Sequence, residues 1–280
     1  MEGQTSPQGE PGVRFVVTTC RDPSEAHEAR GRTVAARCGV PFVKRDTSIK
    51  TIRARHGVEL LYEVRRIREE LQTLDECLFV HPGLFYFKRI DGREHPLLRA
   101  VAPQGEPPLE RIVDATLGLC SDALHLAHVL PQAEVLGIER SPLLYSLQQE
   151  GLARMQAERR GWSPAAGRIQ PLLGDAREVL AGMPDQSADV VYLDPMFEEP
   201  RGAGGAFALM RVVACHDPLD QATLDQACRV ARRRVVVKRP GRAPLPAVTP
   251  WGAAWEGATL GISVDYLVAT NPSWSAPRNP

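Results

Sequence analysis

Apolar and polar positions follow a recurring pattern along this chain: short apolar runs with the length of buried strands, each followed by a segment whose apolar residues recur every three or four positions. From Arg111 onward the alternation is regular. It predicts strands at Arg111–Ala115, Glu134–Ile138, Ile169–Leu173, Asp189–Leu193 and Arg234–Val237. Helices are predicted between them at Asp122–Leu130, from Ser141 to Arg160, at Ala176–Met183 and at Leu219–Arg232. Strands and helices alternating at this spacing predict an α/β fold with a doubly wound, mostly parallel, Rossmann-like sheet. Alternating Ile262, Val264, Tyr266 and Val268 predict a closing strand within 260–269.

The front of the chain reads as a smaller α/β unit. A strand is predicted at Arg14–Cys20, and Asp22, Pro23 and Ser24 then cap a helix that runs to Cys38 and stops at Gly39. Val40–Lys44, Val58–Val64, Cys77–Val80 and the aromatic run Gly83–Ile90 are further predicted strands, and Ser48 opens a short basic helix with Lys50, Arg53 and Arg55. The Pro- and Gly-rich stretch A-P-Q-G-E-P-P-L-E-R marks a join. The expected organisation is therefore a disordered tail over 1–12, a small α/β domain over 13–100, a linker over 101–111 and the larger domain over 112–280.

Charge adds a partner to this picture. Lys and Arg balance Asp and Glu at 34 each, but Val13–Ala100 holds 17 basic against 12 acidic residues and the chain from Val101 on holds 17 against 20. A basic small domain predicts a nucleic-acid footprint, with Lys88 and Arg89 among the candidate substrate contacts. The six cysteines form no C-x-x-C pair and no metal pattern with the seven histidines, so free thiols and no metal are expected. The polar, acidic N-terminus lacks signal-peptide character, and no apolar run approaches the roughly 20 residues of a membrane span. A cytoplasmic protein with no membrane partner is expected; the sequence does not specify an oligomeric state.

The chemistry gathers at strand ends, where open α/β sheets bind ligands. Asp114 closes the first strand of the larger domain, and the turn after it, with Thr116 and Gly118, leads into a helix whose N-terminus suits a polar ligand. Glu139 closes the next strand, 25 residues on, and is placed to accept from both hydroxyls of a ribose. Asp175 closes the third and could accept from an adenine amine. Together they describe a site for an adenosine with a small polar tail. Thr116 and Cys120 stand where a dinucleotide fingerprint has glycines, so S-adenosylmethionine (SAM) fits better than NAD.

The fourth strand ends in Y-L-D-P-M-F. If Asp194 and the Pro195 carbonyl accept the two hydrogens of an exocyclic base amine, its nitrogen is drawn towards tetrahedral geometry and its lone pair can face the methyl donor. Phe197 would stack on the base. Lys238 and Arg239, following another buried strand at the same sheet edge, are candidate phosphate contacts. The long segment Glu198–Asp217, with Gly202, Gly204 and Gly205, suits a lid or a plain insert.

D-A-T-L-G-L-C-S-D-A at Asp114–Ala123, I-E-R-S-P at Ile138–Pro142, V-V-Y-L-D-P-M-F at Val190–Phe197, M-R-V at Met210–Val212 and V-V-V-K-R-P at Val235–Pro240 resemble the ribosomal small-subunit RNA methyltransferase J family. The resemblance covers most of residues 80–270. It implies a class I SAM-dependent enzyme that methylates guanine N2 in 16S rRNA, with small-subunit rRNA or the small subunit as partner. It also implies that Ser121 and Asp122 contact the donor at the first loop, Glu139 and Arg140 its ribose region, Asp175 and Ala176 its adenine side, and Asp194 the junction of donor and acceptor. Cys120 and Ser121 replace a glycine and an arginine of the family pattern, and Glu198–Phe207 is acidic and glycine-rich where the family is lysine-rich. Adenine N6 or another RNA as acceptor, a nucleotide-dependent oxidoreductase, and a non-catalytic RNA-binding protein with the same fold are the alternatives.

Overall fold

Residues 14–83, 95–195, 206–214, 219–240, 251–252, 255–259 and 264–275 are described in the computed structural model. By its contacts the chain divides into two units, one of residues 1–80, 142–151 and 200–214 and the other of 81–141, 152–199 and 215–280.

The first unit is built on a four-stranded sheet of order β1-β2-β3-β4, from Phe15–Thr19, Leu60–Val64, Glu69–Gln72 and Cys77–Leu78. β1 and β2 run parallel, and the other pairs are antiparallel. Helix α1, Glu25–Cys38, starts on a Ser24 capping box and ends on Gly39 at φ 66, a left-handed conformation that glycine adopts without steric cost. Helix α2 is Ile49–His56. The strand expected at Val40–Lys44 is reduced to a single bridge between Phe42 and Val17, because Pro41 has no N–H to offer a ladder. Conversely β3, with sequence E-E-L-Q, carries no apolar signal yet is buried. Glu69 accepts from Arg30 Nε at 2.7 Å and from the Tyr62 hydroxyl, and Glu70 from Arg65 at 2.6 Å and Arg68 at 2.8 Å. Those partners offset the cost of burying two carboxylates.

The second unit holds a seven-stranded sheet of order β10-β11-β9-β8-β5-β6-β7. Its strands are β5 (Arg111–Asp114), β6 (Glu134–Glu139), β7 (Ile169–Leu173), β8 (Ala188–Leu193), β9 (Ala231–Pro240), β10 (Glu256–Thr259) and β11 (Val264–Thr270). The five from β9 to β7 are parallel, whereas β11 and β10 are antiparallel additions at one edge. Chain order reverses at β5, whose neighbours are β6 and β8, so a crevice opens beyond their carboxyl ends. Helices α3 (Pro96–Val101), α4 (Ser121–Val129), α6 (Ser163–Ala166), α7 (Ala176–Ala181) and α9 (Gln221–Val230) belong to this unit. Helix α5 (Pro142–Ala157) passes from the first unit into the second at Gly151, and α8 (Ala206–Val213) belongs to the first. The expected lid at Glu198–Asp217 thus contains a helix, and its remaining residues but Ala214 lie outside the described ones.

The core follows from the central strands being apolar on both faces: Val113, Val191, Val235 and Val237 pack with Leu180, Leu224, Ala227 and Val230 of α7 and α9. The stretch before β5 is clamped, not loose. Asp189, buried at the amino end of β8, accepts from the backbone N–H of Glu110 at 2.7 Å and Arg111 at 3.0 Å, from Arg233 Nε at 3.0 Å, and from Arg232. Arg233 also donates to the carbonyls of Pro107 at 2.7 Å and Pro108 at 2.9 Å. Among the described residues no helix is long and apolar enough to cross a membrane. The five described cysteines are free thiols.

Candidate active site

The parallel strands β5, β6, β7 and β8 deliver their terminal residues to one edge of the sheet, and a run of hydrogen bonds ties those residues to one another. The turn after β5 is stitched on both sides: Ala115 N–H donates to the Tyr192 carbonyl at 2.8 Å and Leu117 N–H to the Ile138 carbonyl at 3.0 Å. Within the turn, Asp114 Oδ1 accepts from Thr116 N–H at 3.0 Å, with the Thr116 hydroxyl 3.5 Å away. That hydroxyl accepts in turn from the Asp194 N–H at 2.6 Å. Thr116 therefore joins the ends of β5 and β8.

On the other side, Gly118 N–H donates to Glu139 Oε2 at 3.1 Å and Ser141 N–H to Oε1 at 2.8 Å. The carboxylate is thus aimed by two backbone amides, and an ionised carboxylate offers about four acceptor positions, which fits ribose hydroxyls as further donors. Gly174 N–H donates to the Glu139 carbonyl at 2.9 Å, bringing the end of β7 alongside. There Asp175 caps α7, accepting from Arg177 N–H at 2.9 Å, while Arg140 Nε stands 3.7 Å from its second oxygen. Ala176 packs on the core beneath. Gly118 has φ 52 and Cys120 φ 60, so the loop passes through left-handed backbone twice before Ser121 starts α4. Cys120 thus holds its side chain in a backbone conformation costly for L-residues. Burial pushes the Cys120 thiol well above its usual range, with Asp114 and Glu139 adding to the shift, so it is a poor nucleophile.

The end of β8 is a knot of charge. Asp122, in the first turn of α4, accepts at Oδ2 from the buried Tyr192 hydroxyl at 2.7 Å and from Lys238 Nζ at 3.0 Å. Lys238 also donates to Asp194 Oδ2 at 2.6 Å. Burial works against the Lys238 charge, but Asp122 and Asp194 outweigh it and hold the ammonium well above the usual lysine range. Asp114, 1% exposed, is pushed up to about 7, first by burial and then by Asp122 and Asp194, against the pull of the Thr116 N–H and Lys238. Burial also raises the Tyr192 hydroxyl well above its usual value, followed by Asp122 and Asp194.

The structure thus brings together Asp114, Thr116, Gly118, Ser121, Asp122, Glu139, Arg140, Asp175, Ala176, Asp194 and Pro195 along the carboxyl ends of neighbouring strands. Phe197, Lys88 and Arg89 lie outside the described residues. Lys238 and Arg239 were both expected at phosphate. Lys238 instead bridges two carboxylates, and Arg239, one residue on and so on the opposite face of β9, lies 3.5 Å from Asp265 of β11. Tyr192 and the bridging role of Lys238 were missed: both stand in apolar strand segments whose sequence reports burial but not partners.

The SAM-dependent methyltransferase family model matches residues 79–253. The YpiP protein of Bacillus subtilis (strain 168) is 32% identical over 234 residues, covering 82% of this chain and 90% of its own. The ribosomal RNA small subunit methyltransferase J of Pseudomonas fluorescens (strain SBW25) is 30% identical over 223 residues, covering 79% of this chain and 83% of its own. A SAM-dependent methyltransferase of Neisseria gonorrhoeae, known as a crystal structure, matches with TM-score 0.63 and 22% identity over 94% of this chain and 98% of that one, a likeness of fold. With the doubly wound sheet and its acidic carboxyl edge, these likenesses establish that the chain belongs to the SAM-dependent methyltransferase family that includes ribosomal RNA small subunit methyltransferase J.

Proposed function

We propose that the protein methylates the exocyclic amine of an RNA base, N2 of a guanine in small-subunit rRNA. The observation that carries the reading is the position of Asp194 and Pro195, directly after β8 and hydrogen-bonded through Thr116 to the loop that follows β5. An acceptor group is thereby held beside the crevice where this fold takes its nucleoside. Small-subunit rRNA is the substrate named for several relatives, including those from Pseudomonas fluorescens and Actinobacillus pleuropneumoniae.

The donor set suits a sulfonium nucleoside, a cation facing carboxylates. Asp114, Thr116, Gly118, Ser121 and Asp122 would hold the amino-acid tail, Glu139 and Arg140 the ribose, and Asp175 and Ala176 the adenine. SAM supplies a methyl group already activated on sulfur, so the chain's own work is positioning and no metal is needed. The Asp194 carboxylate and the Pro195 carbonyl accept the two amine hydrogens, which withdraws the nitrogen lone pair from the ring and points it at the methyl; the N–C bond would form as the S–C bond breaks to leave the neutral thioether, and the proton lost by the methylated nitrogen would pass to the Asp194 carboxylate. Phe197 stacks on the base, and the basic residues of the first unit, with Lys88 and Arg89, bind RNA phosphates. Unstacking presents the base.

The test is methyl transfer from tritiated SAM to isolated small-subunit particles, naked rRNA and tRNA, followed by digestion to nucleosides. Label should appear as N2-methylguanosine from small-subunit rRNA, and Asp194→Ala should lower transfer by at least about 100-fold while still binding donor. Label in another nucleoside or in tRNA would overturn the substrate. Donor binding with no label in any RNA would favour a non-catalytic RNA-binding protein.

A further inference from the structure

We infer that Lys238 is a positioning residue for the methyl transfer: it holds the Asp194 carboxylate in place as an acceptor-only anion, tied to the donor loop through Asp122, and touches neither substrate itself. The inference rests on the methyltransfer reading of Asp194. Its geometric basis is one ammonium shared by Asp194 Oδ2 at 2.6 Å and Asp122 Oδ2 at 3.0 Å. Asp122 is independently fixed by the Tyr192 hydroxyl at 2.7 Å, and the Asp194 backbone by Thr116 at 2.6 Å. The Asp194 side chain is thus oriented from β9 and, through Lys238, from α4, while its main chain is held by the β5 loop.

An amine acceptor needs a carboxylate that only accepts. Protonated, Asp194 would present a donor to the N–H it must bind. Two carboxylates share its surroundings, Asp122 from α4 and Asp114 from the end of β5, while Tyr192 in β8 and Tyr266, paired with Lys238 across β9 and β11, belong to the same cluster with hydroxyls held above their usual range. Two carboxylates around one point do not both stay ionised without a cation between them. Lys238 is that cation. A lysine carries three donors on a flexible stem, so it can serve both carboxylates at once.

The experiment measures transfer kinetics from about pH 5 to about pH 9 for wild type, Lys238→Met, Lys238→Arg and the double variant Lys238→Met/Asp122→Asn. Calorimetric titration with SAM accompanies each. Lys238→Met should lose at least about tenfold in kcat at neutral pH with a smaller change in KM for SAM, and the acid limb of its kcat profile should move up by about one unit or more. Lys238→Arg should keep the wild-type limb. Asp122→Asn in the Met background should bring the limb back down, because it removes the like charge. If Lys238→Met does not fold, the double variant carries the test: reduced kcat with an unshifted limb supports the role, and wild-type kcat overturns it. A Lys238→Met enzyme with an unmoved limb, or a loss that arginine does not restore, overturns it too. Wild-type protein that binds SAM but labels no RNA would overturn the methyltransfer reading itself, an outcome read from the wild type alone.

Discussion

Asp114 and Asp189 are both aspartates buried in the second unit, and their partners send them in opposite directions. Asp114 has one backbone N–H and two neighbouring carboxylates, so burial prevails and its carboxyl is pushed up to about 7. Burial alone would raise Asp189, but the Arg111 and Glu110 amides with Arg232 and Arg233 outweigh it and hold the carboxyl below its usual value. Asp114 titrates in the folded protein above its ordinary value of 3.8. Its contribution to stability is therefore complete below that value and is lost as pH rises through about 7. Asn at this position cannot ionise. The stability of Asp114→Asn relative to wild type should rise between about pH 5 and pH 8 by roughly 2–4 kcal/mol, read from urea denaturation at each pH. A difference that does not change with pH would show that Asp114 is not a buried, proton-holding group. In the sequence Asp114 reads as the acid closing one strand and Asp189 as the first residue of another; the direction of each titration comes from packing.

At the scale of elements, legibility followed the apolar signal. β5, β6, β7 and β8 were found close to their observed bounds because each is an apolar run ended by a polar residue or turn. β3 was missed because its burial depends on Arg30, Tyr62, Arg65 and Arg68 donating to its two glutamates, partners that the pattern of E-E-L-Q does not report, so that the stretch reads as surface. β10 was missed as well, since it needs β11 beside it to exist. β9 extends well beyond the predicted Arg234–Val237, starting at Ala231, because Arg232 and Arg233 find Asp189 on β8. That clamp makes a prediction. Asp189→Ala leaves the 7%-exposed Arg233 side chain without its carboxylate and two amides without an acceptor, while the half-exposed Arg232 adds little. The loss should be about 3–5 kcal/mol in urea denaturation, with donor binding by the residual folded protein unchanged. A loss under about 1 kcal/mol would mean that the buried carboxylate does not hold the stretch before β5.

For the molecule as a whole, the sequence reveals the most about the second unit. The regular strand–helix alternation specifies the doubly wound sheet, and parallel strands must end at a common edge, so acids at successive strand ends converge there. What the sequence does not carry is how those acids are shared among partners: Thr116 between Asp114 and Asp194, Gly118 and Ser141 on Glu139, Lys238 between Asp122 and Asp194. The contacts of Asp194 with Thr116 and of Lys238 with Asp122 and Asp194 join residues 44 to 116 positions apart, and those on Asp114 and Glu139, though closer in the chain, depend on how the turn after β5 folds. The methyl transfer proposed above makes this edge one site, with the donor nucleoside on the β5–β7 side and the amine acceptor at Asp194. A crystal structure with S-adenosylhomocysteine bound tests it most directly. It should show the ribose hydroxyls at hydrogen-bond distance from Glu139, the tail against Ser121 and Asp122, and the sulfur facing Asp194. A nucleoside bound anywhere other than the carboxyl ends of β5, β6 and β7, or with its sulfur turned away from Asp194, would contradict it.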